Sequence, residues 1–149
     1  MRNLSWAVAL LVMGGAETFA QNRLPAATEL TCSFSLVATG TWTDDTTPSV
    51  ELEASRLRFR FVEIDTDGAT AAAEGDFGAS HIITRLSGDY LHFVQMFRSG
   101  PLYTTTVINR ETVDGKLKAV HTRHEYNDFR LEGHTSRPEH YYGSCEIDR

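Results

Sequence analysis

The stretch Leu30–Ala38, "LTCSFSLVA", decides the fold. Leu30, Cys32, Phe34, Leu36 and Ala38 fall on one face, and Thr31, Ser33 and Ser35 fall on the other. Apolar residues at every second position mark a half-buried β-strand, because successive side chains along a strand point to opposite faces. Cys32 lies on the apolar side of this strand.

The same period continues downstream. In "RLRFRF", Leu57, Phe59 and Phe61 alternate with Arg56, Arg58 and Arg60. "SHIITRL", "DYLHFVQMF", "LYTTTVI" and "KLKAVHTRHEY" follow, rich in the β-branched and aromatic residues that suit a pleated surface. Ser87-Gly88-Asp89, Ser99-Gly100-Pro101 and Asp114-Gly115 separate them as turns. Short strands at this spacing predict an all-β, antiparallel small barrel or sandwich of about seven to nine strands. One segment breaks the pattern. "DGATAAAEGDFGAS" is small and Gly-rich, and Ala69–Glu74 could form a short helical turn, too short to be stable alone.

The N-terminus reads as a secretory signal. Met1-Arg2-Asn3 is a short positive start, Leu4–Met13 is apolar, and Thr18-Phe19-Ala20 is a loose small-x-small cleavage site. The apolar run is about half of the ~20 residues needed to span a bilayer. Residues 1–20 are therefore expected to be a cleaved signal and residues 21–149 a single β domain, exported to the periplasm or secreted. With 14 Lys and Arg against 20 Asp and Glu, the net charge is −6. That balance disfavours nonspecific binding to nucleic acid. No later run reaches membrane length, so no membrane span is expected in the mature form.

Export gives the two cysteines a meaning. An even count in an oxidising compartment predicts that Cys32 and Cys145 are paired. In "YYGSCEI", Tyr141, Gly143, Cys145 and Ile147 share one face, so both cysteines sit on inward faces of terminal strands. Those strands are then either neighbours or opposed across the core. Gly143 offers no side chain to the packed face. It marks a bulge, or a place where Tyr141 or Trp42 lies across the strand.

"AVHTRHEY" and "RPEHYYGSCE" resemble the C-terminal half of small exported bacterial proteins of uncharacterised function. The resemblance covers about a third of the mature chain. It implies a β-rich exported domain with a cysteine-containing end, and it carries no catalytic role.

Several residue groups are candidates for function. His121, His124, His134 and His140 lie within twenty residues, and imidazoles can ligate zinc or copper. Their spacing matches no metal motif, and on a strand His121 and His124 take opposite faces. His121 shares a face with Arg123, Leu117 and Ala119; together the His and Arg could hold a carboxylate in a barrel mouth. The pattern does not fix which face is buried, and the exposed half of a strand nearing its end is the preferred reading. In "EIDTDGATAAAE", Glu63, Asp65, Asp67, Gly68 and Glu74 match a calcium-loop template, but a strand precedes them where the motif needs a helix. A strand ending in an Asp-Gly turn is the simpler reading. The Arg56, Arg58 and Arg60 stripe reads as a solvated face. No nucleophile elbow or Gly-rich phosphate loop is present.

Together these features suggest an exported accessory or binding domain. It would hold a small molecule, a peptide or an envelope partner protein, without a cofactor. Its binding residues would come from His121, Arg123, His124, His134 and His140. The alternatives are a small hydrolase or lyase built on His121, His124 and Arg123, and a structural envelope protein.

Overall fold

In a computed structural model, residues 22–43, 46–75, 78–126 and 137–148 are described. Eight strands run in chain order: β1 (Leu30–Thr43), β2 (Thr47–Asp65), β3 (Thr70–Gly75), β4 (Gly78–Ser87), β5 (Tyr90–Met96), β6 (Leu102–Glu111), β7 (Leu117–His124) and β8 (Glu139–Ile147). Each pairs antiparallel with the next, and β8 pairs with β1, closing the sheet into a barrel. No helix among the described residues is long and apolar enough to cross a membrane. The expected signal, residues 1–20, lies outside the described residues.

The disulfide closes the ring. Cys32 and Cys145 sit directly opposite each other on β1 and β8, with Cα atoms 4.0 Å apart. The terminal strands are therefore neighbours.

One end of the barrel is plugged. A 3-10 turn at Leu24–Ala26 crosses it and buries Leu24 against the lower core. Asn22 donates to the Gly88 carbonyl in the β4–β5 turn. Arg23 pairs with Glu111 and reaches the Gly115 carbonyl at the β6–β7 turn. Below the barrel's middle, Leu30, Leu91, Val107, Leu117 and the cystine are almost completely buried. Eight strands leave an interior just wide enough to be filled by side chains or to hold one small ligand. Here the lower part is filled.

Two segments differ from their sequence reading. Ala69–Glu74 is not helical: β3 begins at Thr70 and pairs with both β2 and β4. A run too short to be a stable helix is captured by two strands that each offer it a hydrogen-bond ladder. The second concerns β1, whose pairing shifts between Phe34 and Leu36 against both neighbours. Ser35 is the extra residue relative to β8, and the bulge reverses the alternation. Val37 is buried, whereas Leu36 is exposed and Ala38 half-exposed on the outer face. The calcium-like segment follows its preferred reading as a strand ending in a turn. Asp65 ends β2, and its Oδ1 accepts from the backbone N–H groups of Asp67 and Gly68, capping the turn expected there. Glu74 lies on β3 beside Arg60, 3.4 Å away.

β1 and β2 are longer than the barrel is tall. β8 follows β1 only to Thr39, and β3 follows β2 only to Arg60. Gly40 N–H still donates to the Pro138 carbonyl at 2.8 Å, and past it, among the described residues, β1 and β2 continue as a two-stranded arm.

Candidate functional site

The strand register assembles the site. Across the closed wall, Val37 pairs with Tyr141, Tyr141 with His121, His121 with Thr105 and Thr105 with Phe93. One level farther from the plugged end, Glu139 pairs with Arg123, Arg123 with Tyr103 and Tyr103 with Gln95. All these residues have inward parity. The face of β7 carrying Leu117, Ala119, His121 and Arg123 is the buried one, which corrects the reading of it as an exposed strand end.

At and beyond these levels, away from the plugged end, lies a cavity of about 230 Å³. Phe59, Phe61, Phe93, Ile82 and Ala73 give it an apolar wall. Thr105, His121, Tyr103 and Arg123 give it a polar one. Phe61 and Phe93 stack with centroids 3.7 Å apart, forming the firm apolar side. Gly75 at the end of β3 and Gly78 at the start of β4 also line the cavity and bring no side chains of their own into it.

Each polar group has a definite state. Arg123 Nε lies 3.4 Å from His121 Nε2; guanidinium can only donate, so Nε2 is the acceptor and the imidazole proton sits on Nδ1. Nδ1 is 2.8 Å from Thr105 Oγ1. Burial, reinforced by the Arg123 charge, pushes His121 down to about 3. The ring is therefore neutral at physiological pH and a weak base. The Tyr103 hydroxyl donates to Glu125 at 2.8 Å. Burial and that acceptor push the phenol up to about 12, so it remains a donor.

Among the described residues, Arg123 is the only Lys or Arg lining the cavity. Its guanidinium carbon lies 5.3 Å from the Tyr103 ring centroid and 5.2 Å from that of Tyr141, a cation held between two aromatic faces. Behind it Glu139 is 2% exposed and accepts from the Tyr141 hydroxyl at 2.6 Å. Arg123 Nη1 stands 3.9 Å from Glu139 Oε2. That is a charge contact, too long for a hydrogen bond. Glu139 thus fixes the guanidinium electrostatically without engaging its Nη1 donor.

The sequence candidates separate. His121 and Arg123 meet in the cavity. His124 and His140 lie exposed on the outer surface, with ring centroids 6.0 Å apart. His134 lies outside the described residues. His121, His124 and Arg123 therefore do not converge on one point. Among the described residues no three His, Cys, Asp or Glu side chains gather as a metal-holding group. Tyr103, Thr105, Glu139 and Tyr141 were not singled out as site residues. Their inward parity was readable, but the level at which each pairs with β7 was not. In comparisons with known proteins, no family model, curated protein or solved structure matches the chain.

His121 has a measurable consequence. Its folded value lies below the ~6.5 of an unfolded chain, so the unfolded state binds more protons between those values. Stability is full above pH 6.5 and falls as pH drops towards 3. The loss between pH 6.5 and 5 is expected to be about 2 kcal/mol from this group. Urea midpoints across that range should show it, and His121→Phe should flatten that part of the profile.

Proposed function

We propose that the protein is an exported binding protein whose barrel holds a small molecule with an apolar body and a carboxylate or similar anionic head. The observation that carries the reading is a barrel plugged at one end, enclosing an apolar cavity whose polar wall, among the described residues, carries one guanidinium. A mostly apolar concavity with a few convergent polar groups is the usual form of a ligand site. The apolar body would lie against Phe59, Phe61 and Phe93, and the head would face Arg123. Guanidinium is suited to planar two-oxygen acceptors, and the flanking rings hold its plane. The cavity is smaller than the ~300–1,000 Å³ of drug-sized sites, which suits a ligand on the order of ten non-hydrogen atoms. The cystine is compatible with an oxidising location outside the cytoplasm. A weakly basic His121 and the separation of His124 from the cavity do not favour the hydrolase or lyase alternative.

Octanoate and 3-phenylpropanoate are suitable probes. Either should raise the melting temperature in a concentration-dependent way, because a ligand bound only to the folded state adds stability. Arg123→Met should weaken binding about 10- to 100-fold, the worth of a charge-assisted hydrogen bond. Ala73→Leu, which fills the cavity and leaves the Arg123–Glu139 pair intact, should abolish it. No stabilisation by small carboxylates at millimolar concentration, or equal binding by Ala73→Leu, would sink the proposal.

A further inference from the structure

Among the described residues, the β1–β2 arm carries a largely exposed apolar face, with Trp42 at its tip packed edge-on against Tyr126, ring centroids 5.6 Å apart. Past the Ser35 bulge, Leu36 pairs with Ala54, Ala38 with Leu52, Gly40 with Val50 and Trp42 with Pro48. Directly paired residues share a face, so this whole row lies on the outer side of the sheet. Tyr142 extends it on β8, opposite Leu36. Leu52 is 68% exposed, Val50 67% and Trp42 46%. The reverse face of the arm is polar, with Thr39, Thr41, Glu51 and Glu53. A strand pair that is apolar outward and polar inward has the pattern of an interface.

We infer that this face is the contact between two copies of the chain in a two-fold dimer. Its shape complements itself. On β2, Val50 and Leu52 form a ridge; on β1, the paired Gly40 and Ala38 form a furrow beside it. Consider two arms stacked face to face about a two-fold axis parallel to the strands. That operation lays β2 of each copy over β1 of the other. Leu52 then sits above Ala38, and Val50 above Gly40, level for level. Leu36 and Trp42 close the furrow at its two ends. Facing sheets pack about 10 Å apart, a gap that one layer of interdigitating side chains fills. The operation sets the two barrels on the outer sides of the stacked arms. A two-fold contact of this kind uses one patch twice, as self-complementarity requires.

Area and charge favour a second copy over other occupants. Aromatic side chains bring ~150–250 Å² each and aliphatic ones about 100 Å². Scaled by their exposure, the face offers roughly 500 Å² per copy, or roughly 1,000 Å² for the pair, the lower limit of a specific interface. The dimer is accordingly a weak one, with dissociation in the micromolar range. An anionic lipid surface would meet a chain of net charge −6, with Glu51 and Glu53 on the arm. Edge-to-edge pairing through β2 is guarded by Glu51, Glu53, Arg56 and Arg58, the charges that natural edge strands use to discourage it.

Sedimentation equilibrium of the purified, disulfide-bonded protein between about 1 and 200 µM tests this, a range that brackets a micromolar constant. A monomer–dimer equilibrium is expected. Leu52→Lys should shift the dissociation constant upward by at least about tenfold, since each copy buries one Leu52 and two charges enter the contact. Ala38→Arg, which fills the furrow from the other strand, should do the same. Both variants should keep the wild-type melting temperature measured at low concentration and the same carboxylate binding, as neither residue lines the cavity. A monomer throughout the range overturns the proposal and leaves a different protein or a lipid surface to cover the face. Dimers of unchanged affinity in both variants overturn it equally, by placing the contact elsewhere.

Discussion

Gly143→Ala is expected to cost at least about 3 kcal/mol of stability, more than ordinary overpacking, because the obstacle is backbone. Gly143 lies opposite Phe34 on one side and Ala119 on the other. The Ser35 bulge presses the β1 main chain towards β8 at this level. A Cβ on residue 143 would collide with the Ser33 carbonyl oxygen and come within 2.6 Å of Phe34 Cα. Neither atom belongs to a side chain that could rotate away. Relief would require the β1–β8 ladder to part, two residues from the disulfide. Gly75→Ala is the matched control: its added Cβ meets nothing within 4 Å, and its φ is not positive. That variant should stay within about 0.5 kcal/mol of the parent. Urea unfolding of the three proteins decides it. A loss under about 1 kcal/mol in Gly143→Ala would mean that β1 is not bulged against β8 as described.

The same bulge marks where the sequence stops being legible. From Leu30 to Phe34 the alternation reads correctly, and so does the inward parity of Tyr141, Gly143, Cys145 and Ile147. Past Phe34, simple counting puts Leu36 and Ala38 inside, and one extra residue moves them outside. Nothing in "FSLVA" announces the insertion, because Leu36 and Val37 are equally apolar. The signal lay on the other strand: a glycine at 143, among packing residues, whose missing side chain makes room for the bulge. The cavity was half legible for a similar reason. His121 and Arg123 could be placed on one face, but β7 is amphiphilic on both sides, with Val120 and Tyr126 opposing Leu117 and Ala119. Burial was decided by closure of the ring, which puts Tyr141 and Thr105 on either side of His121. Ala69–Glu74 failed differently. Alanine-rich composition carries a helical propensity of tenths of a kcal/mol per residue, and two flanking ladders outweigh it.

Replacing both Cys32 and Cys145 with Ala should lower stability by about 4–5 kcal/mol in the chain-entropy model, for a bond spanning 113 residues. Nearly the whole described chain lies inside that loop, so the reduced unfolded state gains freedom everywhere at once. The folded state also changes, since both sulfurs are fully buried beside Leu30 and Leu117 and their removal leaves space that two methyl groups do not fill. Against a typical total of ~5–15 kcal/mol, this is enough to bring the fold close to its threshold. The loss should fall on closure of the ring. β1 and β8 remain hydrogen-bonded in the double variant, yet they pair residues from opposite ends of the chain, and their encounter carries the largest loop-closure cost in the molecule. Hydrogen exchange should accordingly show amide protection falling first along β1 and β8, with β4–β6 retaining theirs longest, because those hairpins close locally. Carboxylate binding, where measured on the folded fraction, should persist, since the cystine lies below the cavity and does not line it. An unchanged urea midpoint, or two free thiols titrating in the native parent protein, would show that the barrel is closed by its strand ladder alone.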